Sequence, residues 1–154
     1  MNQNELYLSE VCEGDRDLLY RWANDPVARK YAFHQETIPY SDHIRWFEKR
    51  LQDADTFFYI MRENDNNIGQ VRVEFEGTYG VISYSIDPSY RGRGYAKRML
   101  QLLEDRIKED RHVENSLILA GLVKYENIAS RKVFEALHYA ADRKNGYMEY
   151  KKCL

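Results

Sequence analysis

The sequence predicts an α/β domain of the α+β kind, with a mixed, mostly antiparallel twisted sheet of about seven strands and about four helices. Three observations predict it. Polar and apolar residues alternate with a period of two, as at residues 70–75, which is typical of a strand. Apolar residues elsewhere recur at helical spacing, as from Met99 to Ile107. Short polar turns join strand-like segments, which favours antiparallel hairpins beside single helices.

The chain begins with a predicted strand at residues 6–11 and a helix at residues 15–24. The helix is expected to end before Pro26, because the residue before a proline is biased away from the helical region. Residues 27–40 are predicted to be irregular or a broken helix. The next helix runs to about residue 51.

That helix is predicted to be capped by Ser41. Its core face is expected to carry Ile44, Phe47 and Leu51.

The rest of the chain alternates strands, turns and two helices. Strands are predicted at residues 56–61, 68–75, 81–86 and 117–123, with polar turns at 64–67 and 76–80. A helix from about residue 127 to 137 precedes a final pair of strands at 139–143 and 147–152, which turn around Lys144-Asn145-Gly146.

Composition excludes several classes of protein. A chain of 154 residues suits one domain, residues 1–154, with a real core. The net charge of −2 argues against a nucleic-acid binder, and no apolar run is long enough to span a membrane. There is no CxxC and no His/Cys cluster, so no metal site is expected.

Cys12 and Cys153 are predicted to be free thiols in a reducing compartment. The first five residues lack a basic and apolar secretory signal, so we expect a cytoplasmic protein. The 13 tyrosines are spread along the chain. A surface cluster of them could form a dimer face, which leaves a homodimer open.

The most informative stretch, residues 91–96, follows a strand and opens a helix. It reads Arg91-Gly92-Arg93-Gly94-Tyr95-Ala96. The first N–H groups of a helix lack partners within it, and the helix dipole adds positive charge there. The glycines let the backbone bend sharply and approach a ligand, and the arginines suit phosphate oxygens. The stretch predicts a phosphate-binding loop, with a plain strand-to-helix turn as the alternative.

Two nucleotide-binding motifs are excluded at this loop. The pattern is not G-x-G-x-x-G, because Lys97 stands where a third glycine or alanine is required. No Gly-Lys-Ser/Thr occurs, so it is not a Walker A loop.

The Arg-x-x-Gly-x-Ala pattern resembles motif A of the GNAT superfamily of acetyl-CoA-dependent N-acetyltransferases, whose backbone holds the coenzyme A pyrophosphate. Further along, Asn127-Ile128-Ala129-Ser130 resembles the family's Asn-x-x-Ser/Ala helix, which lies along the pantetheine arm. The resemblance spans nearly the whole chain and implies the GNAT fold and acetyl-CoA as co-substrate. The residues it implies for acetyl-CoA binding are Ile86, Arg91, Gly92, Arg93, Gly94, Tyr95, Ala96, Asn127 and Ser130.

Two positions depart from the family pattern. The family's Gly-Phe or Gly-Tyr after the last helix is His138-Tyr139 here, which implies a strained or rearranged helix end. Many members carry a tyrosine that acts as general acid for the departing thiolate. This chain has Phe134 at that position, so the role is vacant or filled by another group.

The resemblance implies that an amine attacks the thioester directly, with the backbone N–H of Ile86 stabilising the oxyanion. The side-chain candidates for a catalytic role are Tyr84 and Glu74, with His43 as an outside candidate. Glu74 could instead only pair with Arg72 in solvent. A strong base is unnecessary, since an α-amine titrates at roughly 7.7–8.0.

Substrate candidates lie mainly in the N-terminal half. Several patterns, including Trp-x-Asn-Asp and His-x-x-Trp-Phe, resemble a GNAT branch that acetylates the 4-amino group of UDP-linked amino-dideoxy sugars on the way to pseudaminic or legionaminic acid. Trp-x-Asn also occurs in ribosomal-protein N-acetyltransferases. The implied pocket residues are Arg21, Trp22, Asn24, Arg29, His43, Trp46 and Arg72.

Alternatives remain for these residues and for the function. The two tryptophans could simply pack their helices on the sheet. His43, Trp46 and Arg50 would share a helix face offset from the core face, where a lone histidine is usually structural. The acceptor could instead be a protein N-terminus or a small-molecule amine. A degenerate acyl-CoA-binding module without turnover is the third reading.

Overall fold

The computed structural model describes residues 5–110 and 116–154. Within these ranges one sheet of seven strands carries five α-helices. The strands are β1 (Leu6–Glu10), β2 (Thr56–Glu63), β3 (Asn66–Glu76), β4 (Tyr79–Ile86), β5 (Ile118–Lys124), β6 (Ala140–Arg143) and β7 (Tyr147–Cys153). The helices are α1 (Arg16–Ala23), α2 (Pro26–Tyr31), α3 (Tyr40–Gln52), α4 (Tyr95–Asp110) and α5 (Ile128–Ala136). The predicted fold class is confirmed.

The expectation that the chain has no secretory signal rests mostly on residues 1–4. These residues lie outside the described residues. No helix in the described ranges is both long enough and apolar enough to cross a membrane.

The sheet has the strand order β1-β2-β3-β4-β5-β7-β6 and contains one parallel pair. That pair is β4 and β5, and α4 lies between them in the chain. Residues 79–82 of β4 pair with residues 118–121 of β5. Beyond Ile82 and Gly121 the two strands are no longer paired, although both continue. The sheet therefore opens between β4 and β5 at their C-terminal ends, and this opening is called the strand gap below.

Both faces of the sheet are covered by helices. On one face, here the α4/α5 face, the core includes Val71, Ile82, Leu100, Leu103 and Phe134. On the opposite α1/α3 face, a second cluster contains Val11, Leu19, Trp22, Phe47, Phe58 and Ile60. Neighbouring strand residues such as Tyr59 and Ile60 lie in different clusters, as the period of two requires.

The start of α3 differs from the prediction. The helix begins at Tyr40 and follows Pro39, whose extended backbone (ψ 144°) ends the preceding segment. No side chain caps this helix, so the prediction that Ser41 is the cap is wrong. The N–H groups of Asp42 and His43 instead donate to the carbonyl of Pro39.

The buried face of α3 also differs from the prediction. It carries His43 and Phe47, while Ile44 is only half-buried. The imidazole of His43 stacks on Phe47, with ring centroids 5.9 Å apart, and lies 5.2 Å from Tyr20 of α1. This aromatic packing turns His43 into the core, so the predicted offset between its face and the core face is wrong.

Residues 27–40 contain a short helix, α2, and then irregular chain. The helix has a strong start signal, because Asp25 accepts the N–H of Ala28 at 3.1 Å and Pro26 occupies the first turn.

The end of α5 explains the departure at His138-Tyr139. His138 has a positive φ of 66°. Its N–H donates to Glu135, and the N–H of Tyr139 donates to the carbonyl of Phe134 at 3.1 Å. These two bonds form a Schellman cap, in which glycine is usual at the left-handed residue. The cap is therefore intact but strained, since an L-residue in this region carries an energetic penalty.

Replacing His138 by glycine should stabilise the protein. The exposed imidazole contributes little packing, and glycine adopts the left-handed conformation without strain. We expect H138G to raise the free energy of unfolding by about 0.5–1 kcal/mol, after allowing for the greater unfolded-state entropy of glycine. Urea unfolding measures the change. H138A keeps the strain and should show no gain, and an equal gain in both variants would contradict this account.

Candidate active site

The strand gap leaves backbone groups of β4 without a partner strand. The N–H of Asp87 donates to a carbonyl of β3 at 2.8 Å, and the carbonyl of Thr78 accepts from Ile118 of β5 at 2.8 Å. Successive peptide groups of a strand point to opposite sides, so odd-numbered residues face β3 and even-numbered residues face β5. The N–H groups of Tyr84 and Ile86 therefore point into the strand gap. This is the position expected for the Ile86 donor.

The glycine loop follows the end of β4 directly. Gly92 and Gly94 have positive φ angles of 76° and 81°. A Cβ at either position would meet no atom within 4 Å, so the glycines serve the loop conformation and the loop is open. α4 begins at Tyr95, where the first N–H groups of the helix lack intrahelical partners. The loop and helix start together can receive a phosphate group.

Arg91 holds this loop in place. Its Nε donates to the carbonyl of Ile86 at 3.1 Å, and a terminal guanidinium nitrogen pairs with Asp25 at 2.6 Å. Burial would raise the pKa of Asp25, but the bonds from Arg91 and from the N–H of Ala28 outweigh it and hold the pKa below its usual value. Arg93 is exposed, with its guanidinium 5.7 Å from the ring of Tyr90. The charge available to a phosphate from these two side chains is therefore mainly that of Arg93.

A second anchor joins α1 to the end of β4. The indole Nε1 of Trp22 donates to Asp87 at 2.8 Å, and Trp22 is only 5% exposed. Burial would raise the pKa of Asp87, but the bonds from Trp22 and Ser89 lower it below the usual value. Both anchors connect the α1–α2 region to the segment that carries the glycine loop.

Tyr84 and Ser130, two predicted site residues, lie together on the α4/α5 face. The Tyr84 hydroxyl and the Ser130 Oγ are 2.8 Å apart. Asn127 caps α5 by accepting the N–H of Ser130 at 3.2 Å, which places this hydroxyl pair at the start of the helix. Burial raises the pKa of Tyr84, although the bond with Ser130 acts in the opposite direction. The phenol is therefore protonated at neutral pH and can donate a proton.

Phe134 lies in the core and cannot exchange protons. It is 1% exposed and stacks on Tyr150 with centroids 5.4 Å apart. A Cβ on Gly121 would lie 2.2 Å from its ring, so the ring occupies the place where β5 leaves β4. The centroid of Tyr84 is 6.2 Å from that of Phe134. Tyr139 and Tyr150 lie closer to Phe134 by ring centroid, at 5.0 and 5.4 Å, but the hydroxyl of Tyr139 bonds to Glu104 and that of Tyr150 to Glu135.

A small cavity of about 50 Å³ lies on the α1/α3 face. Its walls come from α1, α3, β2 and β3. They are formed by Leu19, Trp22, Ala23, Trp46, Phe58, Gln70 and Arg72. Gln70 is the register partner of Ser85, one residue from Ile86, so the cavity lies one strand away from the strand gap, on the face opposite Tyr84. The cavity brings together three predicted substrate residues, Trp22, Trp46 and Arg72.

A larger groove of about 610 Å³ follows α4 and the C-terminal end of α5. Its walls come from α4, the C-terminal end of α5 and β7, and they include none of the predicted site residues.

Arg72 and Glu74 form an ion cluster at the cavity wall. Glu74 pairs with Arg72 at 3.1 Å and with Arg50 at 2.6 Å. The Arg72 guanidinium also lies 4.8 Å from the ring centroid of Trp46. Burial lowers the pKa of Arg72, and Glu74 opposes that shift. Two arginines and one carboxylate leave this wall with a net positive charge.

The other predicted substrate residues hold the surrounding chain. Asn24 bonds through its carboxamide to both backbone groups of Ile38, at 2.8 and 3.0 Å. Arg29 donates to the carbonyls of Ala23 and His34 at 2.7 and 2.9 Å. Arg21 is exposed on α1, and its charge contributes to the low pKa of Asp87.

His43 does not line the cavity, although its ring lies 5.8 Å from that of the wall residue Trp46. It is 2% exposed, and its Nε2 bonds to the carbonyl of Arg16 at 2.9 Å. Burial lowers the pKa of His43, which favours a neutral imidazole that donates to this carbonyl.

Asp25, Asp87, Gln70 and Phe58 were not selected from the sequence as site residues. Asp25 carries a local signal, since it precedes Pro26 as a helix cap. The partners of the others lie 14 or 15 residues away or further, so no local pattern indicates them. Among residues 5–110 and 116–154, no group of three His, Cys, Asp or Glu side chains is arranged to hold a metal ion.

Comparison with known proteins agrees with this geometry. The acetyltransferase (GNAT) domain family matches residues 5–140. No curated protein matches the chain. A domain from Methanocaldococcus jannaschii is 19% identical over 99% of this chain and 100% of that one, with a TM-score of 0.84.

Two further solved structures have known activities. Spermidine N-acetyltransferase from Vibrio cholerae, in complex with CoA and spermine, is 14% identical over 97% of this chain and 94% of that one, with a TM-score of 0.81. An acetyltransferase from Salmonella typhimurium that modifies the N-terminal serine of ribosomal protein L7/L12 is 16% identical over 99% and 96%, with a TM-score of 0.79. At these identities the likeness shows the fold. Because the family match covers most of the residues, the chain belongs to the GNAT family and is an acetyl-CoA-dependent N-acetyltransferase.

Proposed function

We propose that this enzyme acetylates the 4-amino group of a UDP-linked amino-dideoxy sugar by direct attack of the amine on acetyl-CoA. The observation that carries the proposal is the aromatic, positively charged cavity beside the strand gap. Trp22, Trp46 and Phe58 offer apolar walls, and the Arg72 cluster adds net positive charge.

The charge of the cavity discriminates between classes of acceptor. Among the described residues that line it there is no carboxylate. A polyamine carries several ammonium groups, which the arginines of the wall would repel. A nucleotide sugar carries one amine on an anionic diphosphate, which this wall favours. The cavity is also far smaller than the roughly 300–1,000 Å³ of a complete ligand pocket, so only the amine-bearing part would enter.

Arg21 is the strongest candidate for contact with a diphosphate. Arg29 and Arg72 already have partners in the chain, whereas Arg21 is exposed on α1 near the cavity residue Trp22. A guanidinium suits phosphate oxygens because it presents a planar fork of donors.

The glycine loop and the strand gap would hold acetyl-CoA. Gly92 and Gly94 leave the loop open for the pyrophosphate, and Asn127 and Ser130 lie at the start of α5. The thioester supplies an activated acetyl group when bound. The N–H of Ile86 would donate to the carbonyl oxygen, where negative charge develops during the attack.

In this proposal Tyr84 is the general acid. Its phenol is protonated, it lies on the face opposite the acceptor cavity, and it bonds to Ser130. The amine would attack the thioester carbon from the cavity face, and Tyr84 would protonate the departing thiolate from the opposite face. Both groups would then act on one tetrahedral intermediate in the gap.

No general base is assigned. Glu74 is held by two arginines, and His43 is buried on a carbonyl away from the cavity. The nearby arginines lower the pKa of an amine bound in the cavity, because a like charge disfavours the ammonium form. An amine with a pKa near 8 is then largely neutral at physiological pH, and water can remove its proton.

Thiol release from acetyl-CoA with a panel of amines tests the acceptor. The panel contains UDP-4-amino-4,6-dideoxy sugars, Ser- and Ala-initiated peptides, spermidine and an aminoglycoside. We expect turnover with the UDP-amino sugars alone. Turnover of peptides or polyamines instead would overturn the sugar proposal, and binding of acetyl-CoA without any turnover would favour a degenerate binding module.

The loop assignment predicts the loss of coenzyme binding in Gly94→Asp. The variant places a side chain and a negative charge in the open loop, so CoA affinity measured by calorimetry should fall at least about tenfold. Gly77→Asp is the matched control, since Gly77 also has a positive φ (63°) but lies in the hairpin before β4. Equal CoA affinity in both variants would show that the loop is placed wrongly.

Tyr84→Phe should lower turnover without weakening CoA binding. General acids contribute roughly 10²–10⁴-fold, so we expect kcat to fall by about 100-fold. Because the pKa of Tyr84 is raised, its acid form persists at alkaline pH, and wild-type activity should rise as the amine deprotonates without declining below about pH 10. A falling alkaline limb below that pH, or an unchanged kcat in the variant, would remove Tyr84 from the mechanism.

A further inference from the structure

We propose that Gln70 binds the attacking amine, with its carboxamide oxygen as the hydrogen-bond acceptor. The inference rests on the proposed transfer of acetyl to an amine, and it names the group that would orient the nucleophile.

The carboxamide oxygen of Gln70 is a buried acceptor with no hydrogen-bond partner in the described part of the chain. Leaving such an oxygen unpaired in a folded protein is unfavourable, and a specific reason is expected where it occurs. Gln70 also lines the cavity beside Trp22 and Trp46. A ligand that brings an N–H group into this cavity would satisfy the oxygen.

The other end of the carboxamide is fixed. Its Nε2 donates to the Oγ of Ser85 on the neighbouring strand at 3.0 Å. This bond restricts rotation of the side chain and, with Nε2 on Ser85, leaves the oxygen on the side away from Ser85 before any ligand enters. Pre-orientation of this kind lowers the entropic cost of binding.

The position of Gln70 also suits the reaction. Gln70 and Ser85 are register partners in β3 and β4, and the next residue of β4 is Ile86. The N–H of Ile86 points into the strand gap, where it would hold the carbonyl oxygen of the thioester. The gap lies on the far side of β4 from Gln70, one strand spacing of about 4.8 Å away. An amine bound to Gln70 over β4 would therefore be within reach of the carbon that it attacks, as proximity catalysis requires.

An amide oxygen accepts a hydrogen bond but does not remove a proton at neutral pH. Gln70 therefore orients the amine and is not the base. A neutral primary amine has two hydrogens and one lone pair, so one N–H can bond to Gln70 while the lone pair faces the thioester. The positive charge of Arg72 and Arg50 disfavours the ammonium form, which lacks that lone pair.

Steady-state kinetics of Gln70→Met test the inference. Methionine has nearly the same length and volume but offers no comparable acceptor. With acetyl-CoA saturating, we expect kcat/KM for the amine to fall by about 10–100-fold, mainly through a higher KM, while the KM for acetyl-CoA is unchanged. Gln70→Glu restores an acceptor oxygen and should recover most of the lost amine affinity.

Two controls separate binding from structural damage. Gln101→Met makes the same change at an exposed position of α4 and should behave as wild type. Ser85→Ala removes the bond to Nε2 but leaves the acceptor oxygen, so its effect should be smaller than that of Gln70→Met. Urea unfolding of each variant shows whether it is folded under the assay conditions.

The outcomes for Gln70 and for the sugar acceptor are distinguishable. An unchanged KM for the amine in folded Gln70→Met overturns the Gln70 inference and leaves the proposed function standing. If wild type acetylates a different primary amine and Gln70→Met loses affinity for it, the inference stands and the sugar proposal fails. If calorimetry and turnover detect no interaction between any amine of the panel and the CoA-loaded wild-type protein, both are overturned.

Discussion

The geometry of the site depends on the short length over which β4 and β5 are paired. Four residues of each strand pair in parallel, and the strands then separate. Two backbone donors of β4 consequently face a gap and not a neighbouring strand. Phe134 fills the space against Gly121 where the strands part. The glycine loop follows one of the two separating strands, β4, and the start of α5 follows the other, β5.

The polar residues of the candidate site lie on both faces of the sheet. Tyr84 and Ser130 lie on the α4/α5 face, whereas Gln70, Arg72 and Glu74 lie on the α1/α3 face. A thioester held in the gap would be reachable from both. Tyr84 and Glu74, polar residues of adjacent strands, therefore face opposite sides of the sheet. In the proposed mechanism Tyr84 of β4 is the general acid, because Phe134 cannot donate a proton.

Long-range polar contacts join the acceptor side to the coenzyme side. Asp25 holds Arg91, and Asp87 holds Trp22, so the end of β4 is tied to α1 and α2 at two points. Both carboxyl groups have a lowered pKa because their partners outweigh the effect of burial. The charged groups of Arg91, Asp25 and Asp87 are therefore already paired within the chain. The same holds for Arg29 and Asn24, whose partners are backbone groups of the segment between α2 and α3.

The sequence by itself determined the order of the seven strands and of four of the five described α-helices, the fold class and the glycine loop, because periodicity, turn residues and helix starts are local properties. The family resemblance added the two coenzyme motifs, and the match over residues 5–140 agrees with it. The prediction from local patterns was wrong for the buried face of α3. His43 is buried there because its ring packs against Tyr20 and Phe47. Only the tertiary structure decided which polar residues share a face, which arginines already have partners and which acceptor, Gln70, is left without one. These are outcomes of contacts between residues far apart in the chain, and single-sequence spacing carries no information about them.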